Sequence, residues 1–238
     1  MVRRASIFIA AHNKRVPMSN VIHSISIQKT CFPFEVCFVE DASDPNDECL
    51  SILDHKLPHD MWKYCRLTKN VGCGKSQIEC LSMMSPDSDV IVLQSADVMY
   101  AGTDVLEKLV LGVEPMICTM AEVRNVEVPE GLWADYDKLG YYLDEQRLHE
   151  TLDYINKDPK QPERGKYSLL HTIFSGPRQP APDRRWYFFL GAIRTKDIYK
   201  TCFRQSCFDV DLSASLHKEG FQVKYVDAVG IHQRHPVG

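Results

Sequence analysis

The sequence predicts an α/β fold in which helices flank a mostly parallel, Rossmann-like β-sheet within a single domain. Apolar runs of strand length alternate with helix-length segments through the first half of the 238-residue chain. The strand runs are apolar throughout, which is typical of parallel strands that are buried on both faces. Polar residues follow the first, second and fourth strands, at the edge where parallel sheets bind their ligands.

The first half of the chain contains five predicted strands, with a helix between most neighbours. The strands are expected at residues 6–10, 35–39, 64–67, 89–93 and 116–123. The helices are expected at residues 18–28, 47–55, 75–84 and 103–111. Ser19 and Thr103 are predicted to cap the first and last of these helices, because hydroxyl side chains accept hydrogen bonds from the first helical turn.

The second half is less regular. An amphipathic helix is predicted at residues 139–156, and a long loop rich in proline, arginine and lysine at residues 157–185. An apolar segment at 186–194 is followed by helices near 195–202 and at 209–219, and by a strand near 222–226. The single domain at 1–238 therefore divides into a regular part at 1–124, a variable segment at 125–185 and a last part at 186–238.

Composition excludes several classes of protein. The net charge of −4 and the pI near 6.1 argue against a general binder of nucleic acid or of anionic membranes. No apolar run reaches the roughly 20 residues that span a bilayer. The nine cysteines are scattered without a C-x-x-C pair, which argues against a disulfide framework or a zinc site. We expect a reducing, cytoplasmic compartment.

The stretch TKNVGCGKSQ raises the question of phosphate binding, since it ends in Gly74, Lys75 and Ser76. A triphosphate-binding loop needs a glycine five positions before the glycine of its Gly-Lys-Ser ending. Lys69 occupies that position, so a nucleotide hydrolase is not expected. The glycines Gly72 and Gly74 still allow a ligand to approach the backbone closely.

The motifs, taken in order, resemble glycosyltransferase family 2, across most of the chain except residues 125–185. The start, SIFIAAHNK…HSISIQKT…FEVCFVEDASD, is similar to the first two strands of that family and the helix between them. VLQSADVMY stands where the family carries its acidic metal motif. FFLGAIRTKDIY and FDVDLSASLHKEGFQVKYVDAVGIHQRH are similar to its acceptor half.

This resemblance implies the fold called GT-A and an enzyme that moves a sugar from a nucleotide-diphosphate donor to a hydroxyl group. A UDP-sugar is the default donor, and a glycan, a protein or a small molecule is the acceptor. The resemblance also implies inversion at the anomeric carbon. It places donor binding in the first part of the chain and the acceptor and catalysis in the last part.

The resemblance implies a set of donor-binding residues at the ends of the strands. Asp41 matches a family residue that accepts a hydrogen bond from the base, and His12 takes the place of an aromatic residue that packs on it. Both residues could instead belong to turns, and Asn13 is expected to form one. The donor-binding set is Ala10, His12, Asp41, Gly72, Lys75, Ser95, Ala96 and Asp97.

Asp97 and His232 are the metal ligands that the resemblance implies, with His235 as a second candidate histidine. Mn²⁺ or Mg²⁺ suits such a site, because a hard cation can bridge a carboxylate and both donor phosphates. Gln94, Ser95 and Ala96 stand where the family often has acids, so only one carboxylate remains. Asp97 could instead cap a turn, and His232 could be a surface histidine near a flexible terminus.

Asp209 is the catalytic base that the resemblance implies, with Phe208 in place of the acid that precedes it in the family. A carboxylate there would take the proton of the attacking hydroxyl. Trp186, Gly191 and Asp211 are expected on the acceptor side. Asp209 or Asp211 could equally cap the helix that starts there, and on a helix the two face different directions.

Two rival interpretations stay open. A sugar nucleotidyltransferase has a similar sheet, but it carries a glycine-rich loop with a basic residue after its first strand, and this chain has Ala-Ala-His-Asn-Lys there. The other rival is a catalytically degenerate module that binds a nucleotide sugar or a glycan. Ala96 and Phe208, which replace acids of the family, favour this second rival.

Overall fold

The computed structural model describes residues 2–127, 171–173, 190–204 and 209–234, and these form one α/β unit. Their strands make a nine-stranded mixed sheet in the order β3-β2-β1-β4-β8-β6-β9-β5, with β7 paired to β6. The strands are β1 Ala5–Ala11, β2 Phe34–Glu40, β3 Trp62–Arg66, β4 Val90–Gln94, β5 Val98–Tyr100, β6 Ile117–Glu127, β7 His171–Ile173, β8 Leu190–Arg194 and β9 Gln222–Arg234. The helices are α1 Arg15–Ser26, α2 Leu50–Lys56, α3 Cys73–Met83, α4 Val105–Leu111, α5 Thr195–Ile198 and α6 Asp209–Lys218.

The predicted parallel sheet is present in the first four strands. β1 pairs in parallel with β2 and β4, and β2 pairs in parallel with β3. All seven residues of β1 and of β2 are buried, since helices cover both faces of the sheet. Beyond β4 the pairing is mostly antiparallel, because β8 runs against both β4 and β6.

Two apolar clusters fill the faces of this sheet. Ile7 and Ile9 of β1 pack on one face against α1, α2 and α4. Phe8 and Ala10, which alternate with them, pack on the other face with residues of α3 and α6. Alternate side chains of a strand point to opposite faces, so one strand supplies both cores.

The sheet must curl because of a short connection. β4 ends at Gln94 and β5 begins at Val98, yet three strands lie between them in the sheet order. Four strand spacings of a flat sheet would measure about 19 Å. A link of this length spans at most about 14 Å, so the two ends can meet only if the sheet bends round.

Several local predictions were wrong, and each has a physical reason. Helix α1 begins at Arg15, because Pro17 fits the first turn of a helix, where its missing N–H costs nothing. Ser19 therefore lies buried inside the helix and does not cap it. Asp104 precedes α4 instead of Thr103, and its side chain makes no capping hydrogen bond.

The last strand is much longer than predicted. β9 runs to Arg234, because its second half continues beside β6 and also pairs with β5, which the sequence did not predict. Within the predicted loop at 157–185, the structure places strand β7. The predicted helix at 139–156 lies outside the described residues.

Seven of the cysteines have described side chains, and all seven are free thiols. None of the helices in the described part of the chain is long and apolar enough to cross a bilayer.

The predicted polar residues follow the carboxyl ends of the parallel strands. At the opposite edge of the sheet, the buried carboxylate of Glu35 holds neighbouring segments together. Its two oxygens accept hydrogen bonds from the hydroxyl groups of Ser6 and Ser85, at 2.7 and 2.6 Å, and Lys63 Nζ lies 3.0 Å away. Burial alone would raise the pKa of Glu35, but the bonds from Ser85, Ser6 and Lys63 outweigh it and lower the pKa. The folded protein therefore holds Glu35 ionised.

We predict that Glu35→Gln destabilises the protein by about 1–3 kcal/mol at pH 7, because the amide loses one acceptor and the charge that Lys63 faces. The lowered pKa stabilises the fold above the ordinary carboxyl range, and this contribution is lost as the pH falls from that range through the lowered pKa of folded Glu35. The difference between parent and variant should therefore shrink below pH 4, as urea unfolding at several pH values would measure. A difference that stays constant with pH would contradict the assignment.

Candidate functional site

The carboxyl ends of β1, β2, β3 and β4 meet at one edge of the sheet. The loops that follow them carry His12, Asp41, the segment 70–72 and the segment 95–97. The amino end of the antiparallel strand β8 and the carboxyl half of β9 lie at the same edge, since Leu190 pairs with Gln94 and His232 with Val98. This edge is the candidate site.

Asp97 is the carboxylate at the centre of the charged groups of this candidate site. Its Oδ1 accepts a 2.6 Å hydrogen bond from Ser95 Oγ and lies 3.5 Å from His232 Nε2. Its Oδ2 lies 3.2 Å from Lys14 Nζ, so both carboxylate oxygens have partners. Side-chain exposure is 15% for Asp97 and 18% for His232, against 45% for Lys14.

These partners hold Asp97 ionised. Burial alone would raise its pKa, but the imidazole of His232, the hydroxyl of Ser95 and the ammonium of Lys14 lower the pKa well below the ordinary range of a carboxyl. Asp97 is therefore a carboxylate at any physiological pH. A carboxylate that is only partly accessible and flanked by an ammonium and an imidazole is typical of a site that handles charge.

Asp97 and His232 could supply only part of the ligand set of a divalent cation, which we call a half-site. One carboxylate oxygen of Asp97 and the imidazole nitrogen of His232 lie close enough to share a cation. In the described part of the chain, no group of three or more His, Cys, Asp or Glu side chains could hold a metal. Mg²⁺-type sites often use one or two protein ligands and complete the shell with substrate phosphates and water.

His232 lies in strand β9, and its side chain is partly buried. It pairs with Val98 of β5 on one side and with Asn125 of β6 on the other. The next residue, Gln233, donates its backbone N–H to the carbonyl of Asp97 at 2.8 Å. The sheet therefore fixes His232 beside Asp97.

The side chain of Gln233 ties this strand to α1. It is 5% exposed, and its Oε1 accepts a 2.6 Å bond from Asn20 Nδ2, while its Nε2 donates to the carbonyl of Pro17 at 3.3 Å. The helix that begins after Lys14 is thereby tied to the strand that carries His232. Sequence analysis missed Gln233, since only the fold brings it to α1.

Asp41 organises the neighbouring loop. Its two carboxylate oxygens accept the backbone N–H groups of Val71 and Gly72, each at 2.9 Å. The residue is 1% exposed. Each carboxylate oxygen has a second lone pair, so Asp41 can accept one more bond from a ligand that reaches it.

Two further residues of this region keep the places that the sequence suggested. His12 is exposed, and its Nδ1 lies 2.8 Å from the carbonyl oxygen of Asp41. Asn13 forms a turn with a φ of 51°, and its Oδ1 accepts the backbone N–H of Asp44 at 2.8 Å. The turn after β1 is thereby tied to the turn after β2.

The loop that ends in Gly-Lys-Ser leads into α3. Gly72 has a φ of 88°, a conformation that favours glycine, and its carbonyl accepts the N–H groups of Lys75 and Ser76 at 3.0 Å. Lys75 is exposed in the first turn of this helix. The loop is therefore a helix start fixed by Asp41.

Other residues that the sequence analysis named are buried and contribute to packing or to a turn. Ala10 and Ala96 are 5% and 7% exposed and belong to the two apolar clusters. Gln94 is buried and donates Nε2 to the carbonyl of Val98 at 2.7 Å, which closes the link between β4 and β5. Its Oε1 has no hydrogen-bond partner among the described residues.

The structure locates part of the predicted acceptor side. Gly191 is buried in β8 between Leu93 and Met120, close to the carboxyl end of β4. Asp209 begins α6, and Asp211 lies two residues further along that helix. Trp186, Phe208 and His235 lie outside the described residues, as do these basic residues of the predicted loop at 157–185: Arg164, Lys166, Arg178, Arg184 and Arg185.

Lys14 is the charged residue of this site that sequence analysis missed. A lysine directly after a strand-end turn is a weak signal, and 83 residues separate it from Asp97. Only the neighbouring positions of β1 and β4 in the sheet bring the two together.

We predict that Asp41→Asn lowers the free energy of unfolding by about 1–3 kcal/mol, because the amide can accept only one of the two loop N–H groups and turns a second donor toward the other. Urea unfolding would measure this change. Asp60→Asn is the matched control, since Asp60 is exposed and lies within a short 3₁₀ helix away from the loop. An equal effect of the two variants would contradict the role of Asp41.

We also predict that Gly230→Ala destabilises the protein by about 1–3 kcal/mol through overpacking. A Cβ on Gly230 would lie 2.9 Å from Val98 Cγ1 and 3.0 Å from Leu190 Cδ2. Val98→Ala removes the nearer contact, so the double variant should be more stable than the sum of the two single changes predicts. If the effects of the two single changes on thermal unfolding simply add, the contact between Val98 and the new Cβ is not what destabilises Gly230→Ala.

A known protein family resembles this chain in sequence. A family model described as "Glycosyl transferase family 2" matches residues 6–150. No curated protein sequence matches the chain.

Solved structures share the fold at low sequence identity. A mannosyltransferase from Pyrobaculum calidifontis in complex with GDP-Man and Mn²⁺ matches 97% of this chain and 56% of its own, with a TM-score of 0.58 and 14% identity. GalNAc-T7 with UDP, GalNAc and Mn²⁺ matches 98% of this chain and 44% of its own, with a TM-score of 0.55 and 12% identity. S. aureus TarS 1–349 with UDP-GlcNAc matches 99% of this chain and 59% of its own, with a TM-score of 0.51 and 13% identity. The fold is therefore the GT-A fold of glycosyltransferases, and the chain spans about half the length of these structures.

Proposed function

Because the chain belongs to glycosyl transferase family 2, we propose that it transfers a sugar from a nucleoside diphosphate donor to a hydroxyl acceptor. A UDP-sugar is the proposed donor, and a glycan, a protein or a small molecule is the proposed acceptor. Inversion at the anomeric carbon is part of the proposal. Solved neighbours in complex with GDP-Man and with UDP-GlcNAc support the class of donor.

One observation carries this proposal. A single ionised carboxylate, Asp97, lies at the carboxyl end of β4 and is flanked by His232 from β9 and Lys14 from the turn after β1. A diphosphate leaving group develops negative charge, and cationic groups placed at that edge would stabilise it. The edge is also where open parallel sheets bind nucleotides.

The donor-binding residues have distinct proposed roles. Asp41 would accept a hydrogen bond from the base, while its other lone pairs keep the loop of Gly72 in place. His12 would pack beside the base from its exposed position on the turn after β1. Lys75, in the first turn of α3, would approach the diphosphate as a point charge.

Asp97 and His232 are the residues that would hold Mn²⁺ or Mg²⁺, and Ser95 would orient the carboxylate through its 2.6 Å hydrogen bond. When bound, the cation would supply charge compensation on the departing diphosphate. The Mn²⁺ in two of the neighbouring structures supports this choice of cofactor.

Asp209 is the proposed catalytic base. Its carboxylate would take the proton of the acceptor hydroxyl while that oxygen attacks the anomeric carbon in line and the bond to the diphosphate breaks. Gly191, Asp211 and Trp186 belong to the proposed acceptor side. Residues 209 and 211 lie in the first turn of α6, which supports one of them, not both, as a group that faces the site.

A catalytically degenerate module is the second candidate. The specific observation in its favour is that Asp97 has no acidic neighbour, since Ser95 and Ala96 precede it. Such a module would bind a nucleotide sugar without transferring the sugar.

We predict that Asp97→Asn lowers turnover of the preferred donor at least about 100-fold and abolishes metal-dependent nucleotide binding, because the amide cannot replace the anionic ligand. Hydrolysis of UDP-, GDP- and dTDP-sugars with Mn²⁺ would measure turnover, and calorimetry would measure binding.

Asp87→Asn is the matched control, since Asp87 lies at the opposite edge of the sheet and pairs with Arg4. This control should keep the turnover of the parent. Binding without turnover by the parent would favour the degenerate module. No turnover and no metal-dependent nucleotide binding would overturn the transferase proposal.

A further inference from the structure

Lys14 reaches across the site from the turn after β1 to the turn after β4. Its ammonium lies 3.2 Å from Asp97 Oδ2, the carboxylate oxygen that does not face Ser95 or His232. The lysine side chain is 45% exposed and that of Asp97 is 15% exposed. An exposed, flexible cation thus covers the outer oxygen of a mostly buried carboxylate.

The backbone beneath Lys14 is fixed, although its side chain is exposed. The preceding residue, Asn13, donates its N–H to Ser43 Oγ at 2.8 Å and accepts the N–H of Asp44 at 2.8 Å. The carbonyl of Lys14 accepts the N–H of Met18 at the start of α1. Any change of partner by the ammonium is therefore a rotation of the side chain on a rigid base.

The charges of this cluster disfavour a lone divalent cation. One carboxylate and one ammonium leave Asp97 and Lys14 with no net negative charge, even when the imidazole of His232 is neutral. A divalent cation at Asp97 would face the Lys14 ammonium at a short distance, where like charges repel most strongly. Metal binding at Asp97 Oδ1 would therefore be weak while Lys14 stays at Oδ2.

A nucleoside diphosphate would reverse this balance of charge, which disfavours a cation at Asp97. Its phosphate oxygens bring more than one negative charge to the same edge and offer the ammonium a new partner, and lysine binds phosphate well as a point charge. The carboxylate that Lys14 releases then becomes available to a cation.

We propose that Lys14 makes metal binding depend on the donor: its ion pair with Asp97 suppresses binding of a divalent cation until a nucleoside diphosphate draws the ammonium away. Lys14 is thus a positioning residue that couples two ligands. This inference rests on the proposed function, since it needs a diphosphate at this edge. Coupling is reciprocal, so the cation must strengthen diphosphate binding by the same factor.

The test uses Mn²⁺ and UDP with the whole chain, and it measures binding instead of activity. Titration of Mn²⁺ with and without saturating UDP, followed by the electron paramagnetic resonance of the free ion, gives the coupling factor. For the parent we expect UDP to raise the affinity for Mn²⁺ at least about 10-fold, within the usual range of coupling. For Lys14→Gln we expect Mn²⁺ alone to bind about 10-fold more tightly than to the parent, and the coupling to fall to the part that direct coordination of the cation by the phosphates supplies.

Two further variants control this experiment. Lys14→Arg keeps the charge and should keep the weak binding of Mn²⁺ alone. Lys196→Gln removes an exposed lysine at the opposite edge of the sheet and should behave like the parent. Urea unfolding of each variant checks that the fold is intact.

The outcomes separate the two proposals. Coupling in the parent that persists unchanged in Lys14→Gln overturns the role of Lys14 and leaves the proposed function standing. Equal, tight binding of Mn²⁺ alone by the parent and by Lys14→Gln also overturns it. A parent that binds neither UDP nor Mn²⁺ overturns both this inference and the donor site on which it rests.

Discussion

The site depends on one geometric constraint, the short link between β4 and β5. Residues 95–97 must join two strands that are separated by three others in the order of the sheet. The sheet can satisfy this only by curling, and the curl places β9, the partner of β5, beside the end of β4. Asp97 in the link and His232 on β9 come into contact for that reason. The proposed metal half-site is thus a consequence of how the sheet closes.

Electrostatics within this cluster then decides what the site can do. Asp97 stays ionised against the cost of burial because Ser95, His232 and Lys14 surround it. The Lys14 ammonium, which helps to stabilise the carboxylate, also reduces its attraction for a free cation. A site built in this way favours ligands that bring their own negative charge, which fits a diphosphate better than a metal ion alone.

Buried carboxylates play a structural part at both edges of the sheet. Glu35 fixes the edge opposite the site through Ser6, Ser85 and Lys63, and Asp41 fixes the loop of Gly72 through two backbone N–H groups. Each accepts several hydrogen bonds from neighbouring segments and so ties those segments together. Asp41 shows that a residue proposed to contact the nucleotide can also hold the shape of its own pocket.

The sequence by itself determined the parallel core and the polar ends of its strands. Continuous apolar runs predicted β1 to β4, and the position of Asp41 and Asp97 after two of them placed both at one edge, because local patterns reflect burial and strand direction. Only the tertiary structure decided which residues meet there. The antiparallel insertion of β8, the length of β9 and the contacts of Lys14 and Gln233 depend on pairing between segments far apart in the chain. Such pairings follow from closure of the sheet and from packing, which no local pattern records.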